Sequence, residues 1–335
     1  MKATRFDVLA IGDALIDVIA HKEEDFVAAH GLAFGQMQPV DPARAVILHE
    51  AMGGCEEICG GSAANTIAAL ARFGLSLAFI GQTGRDRAGA IIAADMAANA
   101  VHFPVPPIDV PTGRCLIVVS SGGHRTMSTT AGASAWLPPG SHDPAIAAEA
   151  GLLLVEGYMW RAEQTREAAR ALLKTARAAG RRSAFTLSSE YYVRAYRDEL
   201  VALLDAGLID ILLANEGEIA ALTGLDTLDE QVAWGAARAS LLVVTLGAKG
   251  AVAVADGHRR HVPAEPQGPV VDTTGAGDMF AAGLLAGLVQ GRDLATAMRM
   301  GSIAAGRIVA LIGPRLPAGE DLQALIERRL SSSPS

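Results

Sequence analysis

Short runs of aliphatic and β-branched residues alternate along the chain with longer stretches whose apolar positions recur every three to four residues. The runs at 7–11, 78–80, 115–120, 152–156, 183–187, 209–214, 242–245 and 251–255 read as strands. The stretches at 62–73, 87–98, 162–179, 194–205, 228–239, 276–290 and 294–311 read as helices. Strand–helix alternation of this kind predicts βαβ units. The expected fold class is therefore α/β, a doubly wound, mainly parallel sheet with helices on both faces. Ser62 stands where a helix N-cap is expected, and Gly74 and Gly180 where C-caps are expected.

Two regions break the alternation. Residues 13–37 and 108–133 are strand-like, polar and rich in turn residues, with no long helix between the strands. A small β-layer at one edge of the main sheet accounts for both, and such a layer is able to close over a cleft as a lid. The length of 335 residues allows two domains or one enlarged domain. No internal repeat or low-complexity linker divides the chain. The expectation is a single domain over 1–330 with a discontinuous lid from about 13–37 and 108–133, and a frayed polar tail at 331–335.

Composition narrows the classes further. Half the residues are hydrophobic and 19% are charged, which excludes a disordered chain. No apolar run reaches the roughly 18 residues a membrane span needs, so no membrane partner is expected. The net charge is −8 and the basic pairs Arg181-Arg182, Arg259-Arg260 and Arg328-Arg329 are isolated, so no nucleic-acid partner is expected. Three cysteines, an odd number, argue against a disulfide framework and for a reducing compartment. The N-terminus has charges within its apolar stretch and no cleavage-site pattern, which predicts a cytoplasmic protein. Aromatic residues make up only 4%, so an aromatic beside a polar motif carries weight.

The strongest chemical signal is Asp272-Thr273-Thr274-Gly275-Ala276-Gly277-Asp278 at the start of a helical stretch. A glycine-rich turn entering a helix leaves several backbone N–H groups unpaired and pointing one way, which with the helix dipole favours an anion such as phosphate. A carboxylate in the first turn can accept a proton from an attacking hydroxyl, or simply complement the dipole. No Gly-Lys-Ser or Gly-Lys-Thr occurs, so this is not a Walker loop, and no third glycine completes a dinucleotide fingerprint. A second signal, Gly60-Gly61-Ser62-Ala63-Ala64-Asn65, opens another helix. Its glycines permit close backbone approach, and Asn65 can both donate to and accept from a polyol. A tight turn before a capped helix fits that segment equally well.

Together, about 210 residues apart, these two segments resemble the paired signatures of the ribokinase-like (phosphofructokinase B-type) kinase family, and the resemblance runs from about 7 to 311. It implies a ribokinase-like fold and phosphoryl transfer from ATP. By that resemblance Asp278 is the catalytic base, and the amides of Gly275, Ala276 and Gly277 form the hole for the γ-phosphoryl. Asn215 and Glu218 match an Asn-x-x-Glu motif tied to Mg²⁺ and phosphate, with Glu218 reaching the ion directly or through water. Thr245, Gly247 and Gly250 line the nucleotide, where Lys249 is also found. Asp272 and Thr274 match positions that hold a monovalent cation such as K⁺, with carbonyls of 308–313 completing the site. Asp13 and Asp17 match a pair that grips sugar hydroxyls beside Gly60, Gly61 and Asn65, although ordinary strand-end acids share that spacing.

The segments 111–115, 124–127 and 156–160 resemble the bacterial adenosine-kinase branch most. There Arg125 corresponds to a lid arginine near the transferring phosphate, and Tyr191 or Tyr192 to an aromatic that stacks on a base. The implied reaction converts adenosine and ATP to AMP and ADP. A sugar kinase acting on ribose, fructose or a related furanose, or an inosine or guanosine kinase, is the alternative. Either way the partners are a small nucleoside or sugar and ATP, with the chain a monomer or a homodimer. Cys55 and Cys59, flanking the Gly-Gly turn, are expected to be buried or half-buried thiols.

Overall fold

Nine strands pair side by side in the order His258–Val262, Ala251–Ala255, Leu241–Thr245, Ile211–Asn215, Arg182–Thr186, Ala150–Glu156, Phe6–Ile11, Leu77–Ile80 and Val101–His102. This arrangement comes from a computed structural model that describes residues 4–121, 124–138 and 140–332. Every pair from Leu241–Thr245 to Val101–His102 is parallel, and the two strands at the other edge are antiparallel. The inner strands are apolar on both faces, because helices cover both. Trp160, Phe79 and Phe185 are the largest fully buried side chains, and the Trp160 and Phe185 rings meet edge to face at 5.2 Å. Burial of each such side chain stabilises the fold by about 2–3 kcal/mol.

A second sheet has five strands in the order Met37–Pro39, Arg125–Gly132, Thr112–Val119, Leu15–His21 and Glu56–Gly60. Leu15–His21 runs parallel to Thr112–Val119 and antiparallel to Glu56–Gly60, so Asp17 faces Cys115 on one side and Ile58 on the other. The strand Glu56–Gly60 lies outside the two regions singled out from the sequence. The same holds for the helix Pro42–Met52, whose N-terminus is capped by Asp41 accepting from the Arg44 amide.

Several local expectations shift by a turn. The helix expected over 194–205 is two helices, Glu190–Ala195 and Arg197–Asp205, because the chain leaves the helical region at Tyr196. Ser62 does not cap its helix. Gly61 is the N-cap, with φ of 99°, and Ser62 is the first helical residue with its hydroxyl committed elsewhere. Gly74 and Gly180 do take left-handed φ of 68° and 66° at their helix ends. The helices Glu216–Thr223 and Leu322–Ser331 have no counterpart in the sequence reading, and the latter takes in the first residue of the expected tail. Residues 333–335 of that tail lie outside the described residues. Among the described residues no helix is long and apolar enough to cross a membrane.

Candidate active site

The carboxyl ends of five of the parallel strands, Phe6–Ile11, Ala150–Glu156, Arg182–Thr186, Ile211–Asn215 and Leu241–Thr245, open on one cavity of about 710 Å³. Glu156, Thr186, Asn215 and Thr245 are the last residues of four of those strands, and Asp13 follows a fifth by two positions. In an open α/β sheet this edge is where ligands bind, since the chain there turns away into loops and helices and leaves a crevice. The second sheet supplies the opposite wall through Leu15, Asp17, Cys115, Met127 and Thr129.

Asp278 sits in the first turn of the helix Ala276–Val289 and lines the cavity. Its carboxylate accepts from Ser62 Oγ at 2.6 Å and from Asn65 Nδ2 at 2.9 Å. Burial pushes the Asp278 carboxyl above the usual range, while the bonds from Ser62 and Asn65 and the nearby Arg315 pull it back. The helix is entered through Gly275, whose φ of 71° suits glycine alone, and an added Cβ there would fall 2.8 Å from Pro314. At Gly277 nothing lies within 4 Å of an added Cβ, so this turn faces open space. The amides of Gly277 and Asp278 belong to the first helical turn, which has no intrahelical acceptors to offer them. Ala276, grouped with Gly275 and Gly277 from the sequence, spends its amide on Thr273 O at 3.3 Å.

The part of the cavity around Asp13 and Asp17 is built on buried acids. Glu156 is wholly buried, and its two oxygens accept from the amides of Asp13 and Ala63, both at 2.6 Å. Burial and the neighbouring Asp13 push its carboxyl well above the ordinary value. Asp13 is ion-paired with Arg161, which offsets part of the rise that burial causes. Burial lifts Asp17 to about 7 against the pull of Arg125 and Arg315. Gly60 is held against Asp17, since an added Cβ would fall 2.3 Å from Asp17 Oδ1. Tyr158, Tyr191, Tyr192 and Tyr196 all line the same cavity, with Tyr192 edge-on to Tyr191 at 5.1 Å and to Tyr158 at 5.8 Å.

Asn215 and Glu218 form a reciprocal capping box on the helix Glu216–Thr223: Asn215 Oδ1 accepts from the Glu218 amide at 2.8 Å, and Glu218 Oε2 from the Asn215 amide at 2.9 Å. Burial raises Glu218 to about 7, with Glu190 and Asp278 adding to the rise. Both residues line the cavity, and Glu218 Oε1 carries no hydrogen bond among the described residues. A spare carboxylate oxygen on a residue that lines the same cavity as Asp278 fits Mg²⁺, a hard cation that keeps most of its waters and takes few protein oxygens.

The pair Asp272 and Thr274 has a different character. Asp272 Oδ1 accepts from the Thr274 amide at 2.9 Å and its hydroxyl at 2.6 Å, and Oδ2 from the Gly313 amide at 2.8 Å. Arg125 Nε stands 3.5 Å from Oδ1. Burial opposes these contacts, but together they hold Asp272 below its ordinary value. Thr274, Gly313 and Arg125 are thus the polar partners that hold the Asp272 carboxylate in place.

Asp13, Asp17, Gly61, Tyr191, Asn215, Glu218, Thr245, Thr274, Gly277 and Asp278 thus share one cavity. Gly60 and Asn65 stand directly behind it, through Asp17 and Asp278. Arg125 is drawn to Asp272, and Lys249 is an exposed side chain 3.9 Å from Glu216. Gly247 opens the turn Gly247–Lys249 and Gly250 follows it, just beyond the cavity-lining Thr245, and neither glycine itself lines the cavity. Sequence reasoning read Ser62 only as a helix cap and assigned no role to Glu156, Arg161 or Arg315. Glu156 carried a signal, an acid ending an otherwise apolar strand. Cys59 and Cys115 are buried and Cys55 half-buried, and among the described residues no cluster of three potential metal ligands occurs.

Comparison with known proteins agrees with this geometry. Residues 6–319 match the pfkB family of carbohydrate kinases. The chain is 32% identical over 287 residues to a fructokinase of Klebsiella pneumoniae, covering 79% of this chain and 90% of that one. The crystal structure of adenosine kinase from Sinorhizobium meliloti superposes with a TM-score of 0.92 at 36% identity, covering 98% of this chain and all of the other (100%). That of a probable sugar kinase from Rhizobium etli gives 0.93 at 36% identity, with 98% and 99% covered. The large parallel sheet with its smaller partner is the ribokinase-like fold. With the motif Asp272–Asp278 at the mouth of the cavity and the family match over nearly the whole length, the chain belongs to the pfkB family of carbohydrate kinases, phosphotransferases that act on hydroxyl groups of sugars or nucleosides.

Proposed function

We propose that this kinase transfers the γ-phosphoryl of ATP to the 5′-hydroxyl of adenosine, giving AMP and ADP. One observation carries the choice of a nucleoside. The chain has only four tyrosines, and all four line the cavity. A nucleobase needs flat π-faces to lie against, whereas a bare sugar needs only hydrogen-bonding groups. The similarity to the Sinorhizobium adenosine kinase points the same way.

In the proposed reaction Asp278 accepts the proton of the 5′-hydroxyl. The resulting alkoxide attacks the γ-phosphorus in line, and the bond to the β-phosphate bridging oxygen breaks to release ADP. The first-turn amides of Gly277 and Asp278 face the negative charge that develops on the transferring group. Asp13 and Asp17 accept from the ribose hydroxyls, and Tyr191 or Tyr192 stacks on the base. Asn215 and Thr245 bind the ATP from the cavity wall, and Gly247 and Gly250 shape the turn that follows Thr245 beside the nucleotide. Arg125, at the start of the strand Arg125–Gly132, supplies positive charge beside the phosphate loop. Mg²⁺, held through Glu218, neutralises phosphate charge when bound.

A sugar kinase is the second reading, favoured by the similarity to the Klebsiella fructokinase and by acids that grip any polyol. An assay of ADP release with adenosine, inosine, guanosine, ribose and fructose separates the two. Adenosine should give the highest kcat/KM. Turnover on the sugars with none on the nucleosides would overturn the proposal.

A further inference from the structure

The charged residues lining the cavity are Asp13, Asp17, Glu218, Asp278 and Arg161, four acids and one cation. Arg161 is only 10% exposed. Its guanidinium is ion-paired with Asp13 Oδ2 and lies 5.6 Å from the Tyr158 ring and 6.0 Å from the Tyr192 ring. Ion pair and rings together hold the guanidinium in place. Two atoms of the pair remain unused. Asp13 Oδ1 and Arg161 Nε are both buried and have no hydrogen-bond partner among the described residues. A buried acceptor or donor left unpaired costs about 1–3 kcal/mol, so a ligand that satisfies both atoms at once is favoured.

We propose that Arg161 is a specificity-determining residue that acts with Asp13 as a donor–acceptor pair for the phosphoryl acceptor. Asp13 Oδ1 takes the proton of one hydroxyl and Arg161 Nε donates to the neighbouring oxygen. An aspartate alone would offer both oxygens to hydroxyl protons. Here the arginine occupies one and supplies a donor in exchange, so the pair reads two adjacent oxygens of opposite hydrogen-bonding sense. The acceptor that fits this pair carries two adjacent oxygens, one a hydroxyl that donates to Asp13 and the other an oxygen that accepts from Arg161. This inference rests on the cavity being the acceptor site.

The test is a cycle between enzyme and substrate. The acceptor panel, with fructose 6-phosphate added, first identifies what the wild-type enzyme phosphorylates. If adenosine fails and a neutral sugar succeeds, the nucleoside reading falls and the Arg161 test proceeds on that sugar. Analogues of the preferred acceptor lacking one ring hydroxyl at a time are then compared in wild type and Arg161→Met. One deoxygenation should lower wild-type kcat/KM by about 100-fold, because it strands a buried polar group. The same deoxygenation should cost R161M less than about threefold, with KM for ATP changed by less than about twofold. Arg161→Lys keeps the charge for Asp13 and loses Nε, so it decides by the same comparison if R161M does not fold. Equal penalties in wild type and variants would overturn the assignment.

Discussion

Ser62 Oγ donates a hydrogen bond of 2.6 Å to Asp278 Oδ1 across 216 residues of sequence. Asn65 reaches the other oxygen one turn further along the same helix. The N-termini of Ser62–Leu70 and Ala276–Val289 are thereby joined at the carboxylate that both glycine-rich turns present to the cavity. The two motifs recognised separately in the sequence are one structure.

Asp278→Asn should lower kcat by about 10²–10⁴-fold, the range for loss of a positioned base. The side chain keeps its size and one acceptor for Ser62, so ATP affinity measured by calorimetry should remain close to that of wild type. Activity near the wild-type level would remove Asp278 from the role of base.

The raised Asp278 carboxyl predicts an acid limb in the pH profile of kcat/KM above the ordinary carboxylate range, because only the ionised form accepts the proton. Ser62 and Asn65 stabilise that ionised form. Ser62→Ala and Asn65→Ala should each move the limb to higher pH, as measured by ADP release between pH 4 and pH 9. A limb that stays in place or moves down would show that these two residues do not tune the base.

Glu218 titrates at about 7 in the fold against 4.5 for an unperturbed carboxyl. Its neutral form suits the folded state, so its contribution to stability is complete below the lower value and is lost as pH rises towards about 7. Glu218→Gln retains the capping geometry without ionising. The variant should gain on wild type by on the order of 2–3 kcal/mol between pH 4.5 and pH 8, read from urea unfolding at each pH. A constant difference across that interval would contradict the assignment.

Glu156→Ala strips the acceptor from two buried amides, those of Asp13 and Ala63. A loss of about 2–5 kcal/mol in unfolding free energy is expected, with a higher KM for the acceptor than for ATP. Glu156→Gln keeps one acceptor oxygen and should recover only part of that loss. Unfolding by denaturant together with steady-state kinetics measures both effects.

The alternating pattern made the main sheet legible, because its interior strands are apolar on both faces and its helices carry a clear period. The second sheet was harder to read. Its strand Glu56–Gly60 has two acids, and its neighbouring helix Pro42–Met52 was not recognised. At the site, glycine spacing made the helix entry at Gly275 and its first-turn aspartate legible. Ser62 was read as a cap because serine prefers that position, but the tertiary contact with Asp278 took precedence. Arg161 and Arg315 left no trace, since their importance lies in which acids the fold brings beside them and not in any local spacing.

The strand Phe6–Ile11 belongs to the large sheet and Leu15–His21 to the small one, with only 12–14 between them. Asp13 lies within that joint and Asp17 just beyond it. The crease between the two sheets therefore runs through the acids proposed to face the acceptor. Any rocking of one sheet against the other changes the spacing of the two carboxylates directly, so shutting the cleft and gauging its contents are a single movement.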